Sequence, residues 1–335
     1  MKEQQALLKM VAPGQRRKSI WREGVLQIWI TRACDKKCFH CTQNSQMSGK
    51  AGFISVAQFT EALESLGFSE GDGKKQSVRD AYFGVVGMFG GNPALHPEFG
   101  TLCEILRDRV PFDQRGLWCN HPRSLANARI MEETFNPAVS NLNVHQDQSA
   151  WDMFIEGWPQ SGPVLKGLDS DSRHGPPLVA MSDVIADESD RWDRIANCDI
   201  NKYWSSFIGV FRGELRAWFC EIAGSHAMLH QNNTNYNGSG QPIPDTGLPV
   251  TRGWWKKPMQ EFAAQVRVHC HGCGIPLKGF GQLANGGHAE QVSALHLPMV
   301  KLRDGRQIQV ITSIDQVSPN YLPKATDYIE NGGLT

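Results

Sequence analysis

The sequence predicts an α/β protein: an open, partial barrel of parallel strands, followed by a smaller C-terminal domain built on a β-hairpin and helix. Three observations predict it. Over residues 25–196, short β-branched or aromatic runs alternate with segments whose apolar residues recur at helical spacing. About five strand–helix units are legible, which implies parallel strands with right-handed crossovers, whereas a closed eightfold barrel needs about 250 residues. After about Ala196 the composition shifts to hairpin signals and to Asn-, Gly- and Pro-rich stretches. The expected division is residues 1–24 as an N-terminal extension, 25–196 as the barrel and 197–335 as the C-terminal domain. A chain of 335 residues is long enough for one large domain and an appendage.

The elements follow in order. Val25 to Thr31 is β-branched and aromatic and reads as a buried first strand. Ser55 to Leu66 has helical spacing, with Ser55 as N-cap. Asp80 to Phe89 reads as the second strand, running into the turn Gly90-Gly91-Asn92-Pro93, and Glu98 to Arg109 as a helix. Arg115 to Cys119 is a third strand, Ser124 to Phe135 a helix, Val139 to Val144 a fourth strand and Ala150 to Trp158 a helix. Pro177 to Met181 reads as a fifth strand and Ile185 to Ile195 as its helix. Beyond the barrel, Phe207 to Phe219 reads as a hairpin turning at Arg212-Gly213, and 231–249 as a long loop. Trp254 to Val268 reads as a helix, and Met299 to Thr312, around Asp304-Gly305, as a second hairpin.

Charge excludes some functions. Lysine plus arginine and aspartate plus glutamate balance at 34 each, so no bulk field recruits nucleic acid or an anionic membrane. Arg16, Arg17 and Lys18 read as a solvated segment. Residues 1–15 lack a signal-peptide pattern, and no run approaches the ~20 apolar residues of a membrane span, so a cytoplasmic chain without membrane partners is expected. The nine cysteines are unevenly placed: Cys34, Cys38 and Cys41 form one tight group, Cys270 and Cys273 another. In a cytosolic chain such clustering points to metal or catalysis.

Cys34-Asp-Lys-Lys-Cys38-Phe-His-Cys41 has the spacing C-x3-C-x2-C, directly after the first strand. Three thiolates on one short loop can ligate three irons of a 4Fe–4S cube and leave the fourth open to a ligand. The pattern resembles the signature of the radical S-adenosylmethionine (radical SAM) superfamily. That resemblance implies a partial (β/α)6-type barrel, an open iron that chelates SAM, and His40 beside the adenine. Gly90-Gly91-Asn92-Pro93 is similar to the family's Gly-Gly-Glu-Pro turn, which holds the SAM amino group; Asn92 departs from it in lacking the charge. By the same resemblance Asn120, Asn143 and His145, at the ends of the third and fourth strands, lie where the family contacts its cofactor. Each residue also suits an ordinary turn or cap. For the cysteine loop, zinc with His40 as fourth ligand is the competing reading.

Cys198 and Cys220 flank the first hairpin, and Cys270-His-Gly-Cys273 follows the last helix. This resembles the auxiliary-cluster extensions called SPASM and Twitch, the single-cluster Twitch form matching four cysteines better, and implies a second 4Fe–4S cluster. Structural zinc and a plain buried Cys198 remain open. A thiol–disulfide reading of Cys270 and Cys273 lacks the βαβ context it needs. Cys103 falls in a helix and reads as core. By the same resemblance Cys119, on the strand rim, is where a thiol could return hydrogen to a substrate radical; a plain buried cysteine is the competing reading. Trp204, Trp218, Trp254, Trp255, His226 and His230 read as packing.

The resemblance implies reductive cleavage of SAM to a 5′-deoxyadenosyl radical and hydrogen abstraction from substrate, with flavodoxin or ferredoxin as one-electron reductant. Only about twenty-five residues precede the first strand, with no peptide-binding winged domain, so a small polar substrate is expected. A sugar, aminosugar or nucleotide undergoing epimerisation or oxidation fits that expectation. A peptide delivered by a partner, or a non-catalytic zinc or iron–sulfur protein, are the alternatives.

Overall fold

The computed structural model describes residues 2–16, 24–36, 38, 41–45, 52–168, 176–203, 205–277, 290–300 and 308–317. Its main element is an eight-stranded sheet, β1 (Val25–Thr31), β2 (Val85–Gly90), β3 (Arg115–Cys119), β4 (Asn141–Asn143), β5 (Leu165–Lys166), β6 (Ser205–Phe211), β7 (Glu214–Trp218) and β8 (Leu248–Pro249). The order across the sheet is β5-β4-β3-β2-β1-β6-β7-β8. From β5 to β6 all neighbours are parallel; β7 and β8 add antiparallel. The structure is thus mixed α/β with a mostly parallel sheet.

Register fixes two faces, because partners in register point the same way and successive residues alternate. Val25 pairs with Val85, Gln27 with Gly87, Trp29 with Phe89, Gly87 with Gly116, Trp118 with Asn141 and Asn143 with Lys166. These residues share one face, which mixes polar, aromatic and glycine positions. Leu26, Ile28, Ile30, Val86, Met88, Leu117 and Leu142 occupy the other, and all are buried in the main core. The apolar face needs helices.

The helices of the described residues are α1 (Lys2–Lys9), α2 (Val56–Ser65), α3 (Phe99–Arg109), α4 (Leu125–Thr134), α5 (Gln148–Gly157), α6 (Met181–Val184), α7 (Glu188–Ala196), α8 (Asp199–Tyr203), α9 (Glu221–His230) and α10 (Ala263–Gln265). Ser55 caps α2, as expected, and the structure adds a capping box with Gln58. Ser124 and Asp147 cap α4 and α5 from their side chains. The hairpin also forms as expected: Arg212 (φ 50°) and Gly213 (φ 90°) both take the left-handed region that a two-residue turn requires. Its first strand, β6, pairs directly with β1, so the hairpin extends the main sheet.

Three expectations need correcting. Pro177 to Met181 is not a strand: the segment turns at Val179, whose N–H donates to Pro176, and enters α6 at Met181. The fifth parallel strand is the two-residue β5, too short to carry a pattern. Trp254 to Val268 is not one helix but a series of 3-10 turns, α10 and a π turn ending at Cys270; Pro258 interrupts it, since proline cannot donate to the preceding turn. Of the hairpin expected over Met299 to Thr312, only the two ends are described. Met299 closes a 3-10 turn, and β10 (Ile308–Ile311) pairs in parallel with β9 (Glu290–Ser293); the Asp304-Gly305 turn lies outside the described residues. Finally, Arg16 is fully buried rather than solvated.

Candidate functional site

Parallel strands place their carboxyl ends on one rim, where ligands of open α/β sheets bind. Here Thr31, Gly90, Cys119, Asn143 and Lys166 end β1 to β5. At the first of these ends the Thr31 hydroxyl accepts from Ala33 N–H at 2.9 Å, which turns the chain into the cysteine loop. Cys34, Cys38 and Cys41 are all partly buried free thiols. Burial and then the nearby Cys41 push Cys34 up to about 12. Cys41 is likewise raised by burial, against the N–H groups of Ser45, Gln43 and Asn44. Cys34 and Cys41 therefore lie within electrostatic reach of each other, on the loop that also carries Cys38. His40 lies outside the described residues.

The next rim position explains the two glycines. A Cβ on Gly91 would collide with the Ala33 carbonyl and stand 3.0 Å from Cys34 Cβ. Gly90, at φ 145°, has the Thr31 carbonyl in the equivalent place. Backbone bonds continue the contact, from Gly91 N–H to Thr31 at 2.9 Å and from Asn92 N–H to Ala33 at 2.7 Å. The glycines thus let the end of β2 press against the root of the cysteine loop.

Asn92 is completely buried and busy. Its carbonyl accepts from Ala94 N–H (3.2 Å) and from the Cys119 thiol (3.2 Å), and its amide donates to His121 O (3.0 Å) and Asp35 (3.3 Å). Cys119 donates also towards His121 O, and burial pushes its thiol up to about 12. Asn120 donates to Cys34 Sγ at 3.5 Å, while its buried carbonyl oxygen has no partner among the described residues. Asn143 accepts from His145 N–H at 3.2 Å, and Pro93 opens a short 3-10 turn.

Sequence reasoning missed the ionic clasp around this loop. Lys36 pairs with Asp147 at 2.7 Å, and Arg123 with Asp35 at 3.1 Å. The four residues come from the rims of β1, β3 and β4, so only the fold brings them together. Burial works against the Asp147 carboxylate, but the Lys36 ammonium, Ala150 N–H and Ser149 hydroxyl outweigh it and hold the acid well below its usual range.

Cys220, Cys270 and Cys273 of the second cysteine group lie within electrostatic reach of one another and of Cys198. Cys198 lies between α7 and α8, Cys220 precedes α9, and Cys273 N–H donates to Cys270 O at 3.1 Å. Burial raises all four thiols, and their mutual charges raise Cys220, Cys270 and Cys273 further. Arg16, whose guanidinium donates to Phe219 O, lies within electrostatic reach of Cys198 and Cys220. A buried cation beside thiols favours their ionised, metal-binding form. Its sequence signal was a basic run, which usually means solvent.

The donor sets fit iron–sulfur chemistry. Three thiols on one loop suit a cluster bound through three irons, and four thiols within electrostatic reach of one another suit a closed cluster or zinc. Among the described residues, no group of three or more His, Cys, Asp or Glu side chains forms a ready-made site for a single ion. Cys103 is buried core, as are Trp218, Trp254, Trp255, His226 and His230, while Trp204 lies outside the described residues. No helix among the described residues is long and apolar enough to cross a membrane.

No family model and no curated protein matches the chain. Among solved structures, that of BtrN in complex with AdoMet and 2-DOIA is similar at 14% identity, covering 76% of this chain and 89% of that chain, with a TM-score of 0.39. A likeness of that size assigns neither a family nor an activity.

Proposed function

We propose that the chain is a radical SAM enzyme whose iron–sulfur cluster is held by Cys34, Cys38 and Cys41. The observation that carries the reading is a loop with three thiols at the carboxyl rim of a parallel sheet, with the Gly90-Gly91 turn seated against its root. When bound, the cluster and SAM supply reductive cleavage of the sulfonium and removal of hydrogen from an unactivated C–H bond.

The chain's own residues hold and screen that centre. Thr31 turns β1 into the loop, and the Lys36–Asp147 and Arg123–Asp35 pairs fix the loop to neighbouring rims. The Asn120 amide donates to Cys34, a bond that stabilises thiolate over thiol. Gly90, Gly91, Asn92 and Pro93 shape the adjoining wall, with His40 and Asn143 as further cofactor contacts. Cys119 is the candidate hydrogen donor, and its bond to Asn92 orients the thiol. Cys198, Cys220, Cys270 and Cys273 hold a second, closed cluster. The substrate is a small polar molecule, a sugar, aminosugar or nucleotide, undergoing epimerisation or oxidation, with electrons from a flavodoxin or ferredoxin.

Anaerobic reconstitution with iron and sulfide tests this. The wild type with dithionite and SAM is expected to release 5′-deoxyadenosine, and Cys34→Ala to release none. Absence of the product from wild type, or equal yield from both proteins, would falsify the assignment. Zinc measured beside iron and sulfide separates a closed second cluster from structural zinc at the four-cysteine site.

A further inference from the structure

The mixed face of the sheet carries buried polar atoms with no hydrogen-bond partner among the described residues: Gln27 Oε1, Trp29 Nε1, Trp118 Nε1, Asn120 Oδ1 and Asn141 Oδ1. Gln27, Trp29 and Asn120 are more than nine-tenths buried. Leaving such atoms unpaired costs free energy, so a set of them on one face marks a surface built to be completed by a ligand. The set also divides. Asn120 touches Cys34 and so belongs to the cofactor side. Trp118, on β3, and Asn141, on the next strand, are register partners, and Asn143 pairs in turn with Lys166.

Lys166 is the last residue of β5, at the carboxyl rim, on the same face as Asn141 and Trp118. It is partly buried, and burial lowers its pKa, with no acidic group among the described residues near enough to offset it. A desolvated ammonium without a carboxylate is unfavourable until an anion arrives. Among the described residues no such anion is supplied by the protein.

We infer that Lys166 anchors an oxyanion of the substrate while Asn141 Oδ1 accepts from one of its hydroxyl groups, the Trp118 indole N–H lying alongside. The substrate class is then a hydroxylated small molecule bearing a phosphate or a carboxylate. This rests on the radical SAM reading for the reaction but not for the binding, which the unloaded chain should show.

The test is calorimetric titration of the full-length protein, without cluster or SAM, with inorganic phosphate, acetate and neutral myo-inositol in turn. One charge-assisted contact corresponds to about tenfold to a hundredfold in affinity. Lys166→Met is therefore expected to weaken whichever anion binds by at least about tenfold at a thermal midpoint no lower than that of the wild type, and Lys166→Arg to restore most of the binding. Phosphate binding without acetate binding identifies a phosphoester; the reverse identifies a carboxylate. Equal anion affinity in wild type and Lys166→Met overturns the inference, as does wild-type binding of myo-inositol alone. Because release of 5′-deoxyadenosine by wild type is measured separately, that failure leaves the reaction assignment standing.

Discussion

Gly91 shows what one hydrogen atom in place of a methyl accomplishes. Its Cα faces the Ala33 carbonyl and Cys34 so closely that an added Cβ must move backbone, which cannot yield as a side-chain tip can. Gly91→Ala should therefore displace the cysteine loop and lose about 1–3 kcal/mol of stability, the usual cost of overpacking. Urea denaturation gives the energy, and iron retained after reconstitution gives the displacement; unchanged iron with unchanged stability would contradict the packing. Asn92 makes the complementary point. The sequence position suggests a ligand-facing acceptor, whereas its side chain is spent on Ala94, Cys119, His121 and Asp35, tying three loops together. Motif spacing reports where a residue stands on the chain. It does not report which partners already hold it.

Elements were legible where the pattern had contrast. α2 shows apolar residues at helical spacing, and Ser55 with Gln58 forms both halves of the capping box. Ser55→Ala should cost about 1 kcal/mol, read as a lower urea midpoint with an unchanged slope. α9 went unread because all ten of its residues are buried, so its sequence has no polar face to set the period. β5 is two residues long and gives no pattern at all. Pro177 to Met181 misled in the opposite direction: a short apolar run fits a buried strand or a buried turn equally, and tertiary contacts with Ser293 settle it.

At the scale of the molecule, the distinctive feature of the C-terminal region is a buried histidine group. His230 Nε2 lies 3.1 Å from His296 Nδ1, and the His226 and His296 rings are 4.9 Å apart. His296 Nε2 reaches Gly272 O at 2.6 Å. Tyr236 packs on His230, His269 lies within electrostatic reach, and Asp183 is the acid nearest His296. Burial first, then the neighbouring imidazoles, lower His230 to about 2 and His226 well below its usual value; burial brings His296 to about 4. In the unfolded chain each titrates near 6.5. As pH falls below that value the unfolded state takes up protons that the native state refuses, so stability declines. The decline for His296 runs from about 6.5 to about 4, and continues lower for His230, at up to about 1.4 kcal/mol per pH unit for each histidine. Urea midpoints at pH 7 and pH 5 should therefore fall with acid, and His296→Gln should flatten the change. A midpoint independent of pH over that range would contradict the neutral, buried state of these rings.

By itself the sequence determined what local chemistry determines: the strand–helix alternation, the capping of α2, the Arg212-Gly213 turn, and the spacing that puts three thiols on one loop. Those features depend on neighbours a few residues apart. The tertiary structure alone decided that β6 joins β1, that Cys198, Cys220, Cys270 and Cys273 come within electrostatic reach of one another with Arg16 near two of them, and that Lys166 shares a face with Trp118 and Asn141. These depend on strand order and register. Register assigns a face with period two, and no short-range pattern reveals which distant strand supplies the neighbour.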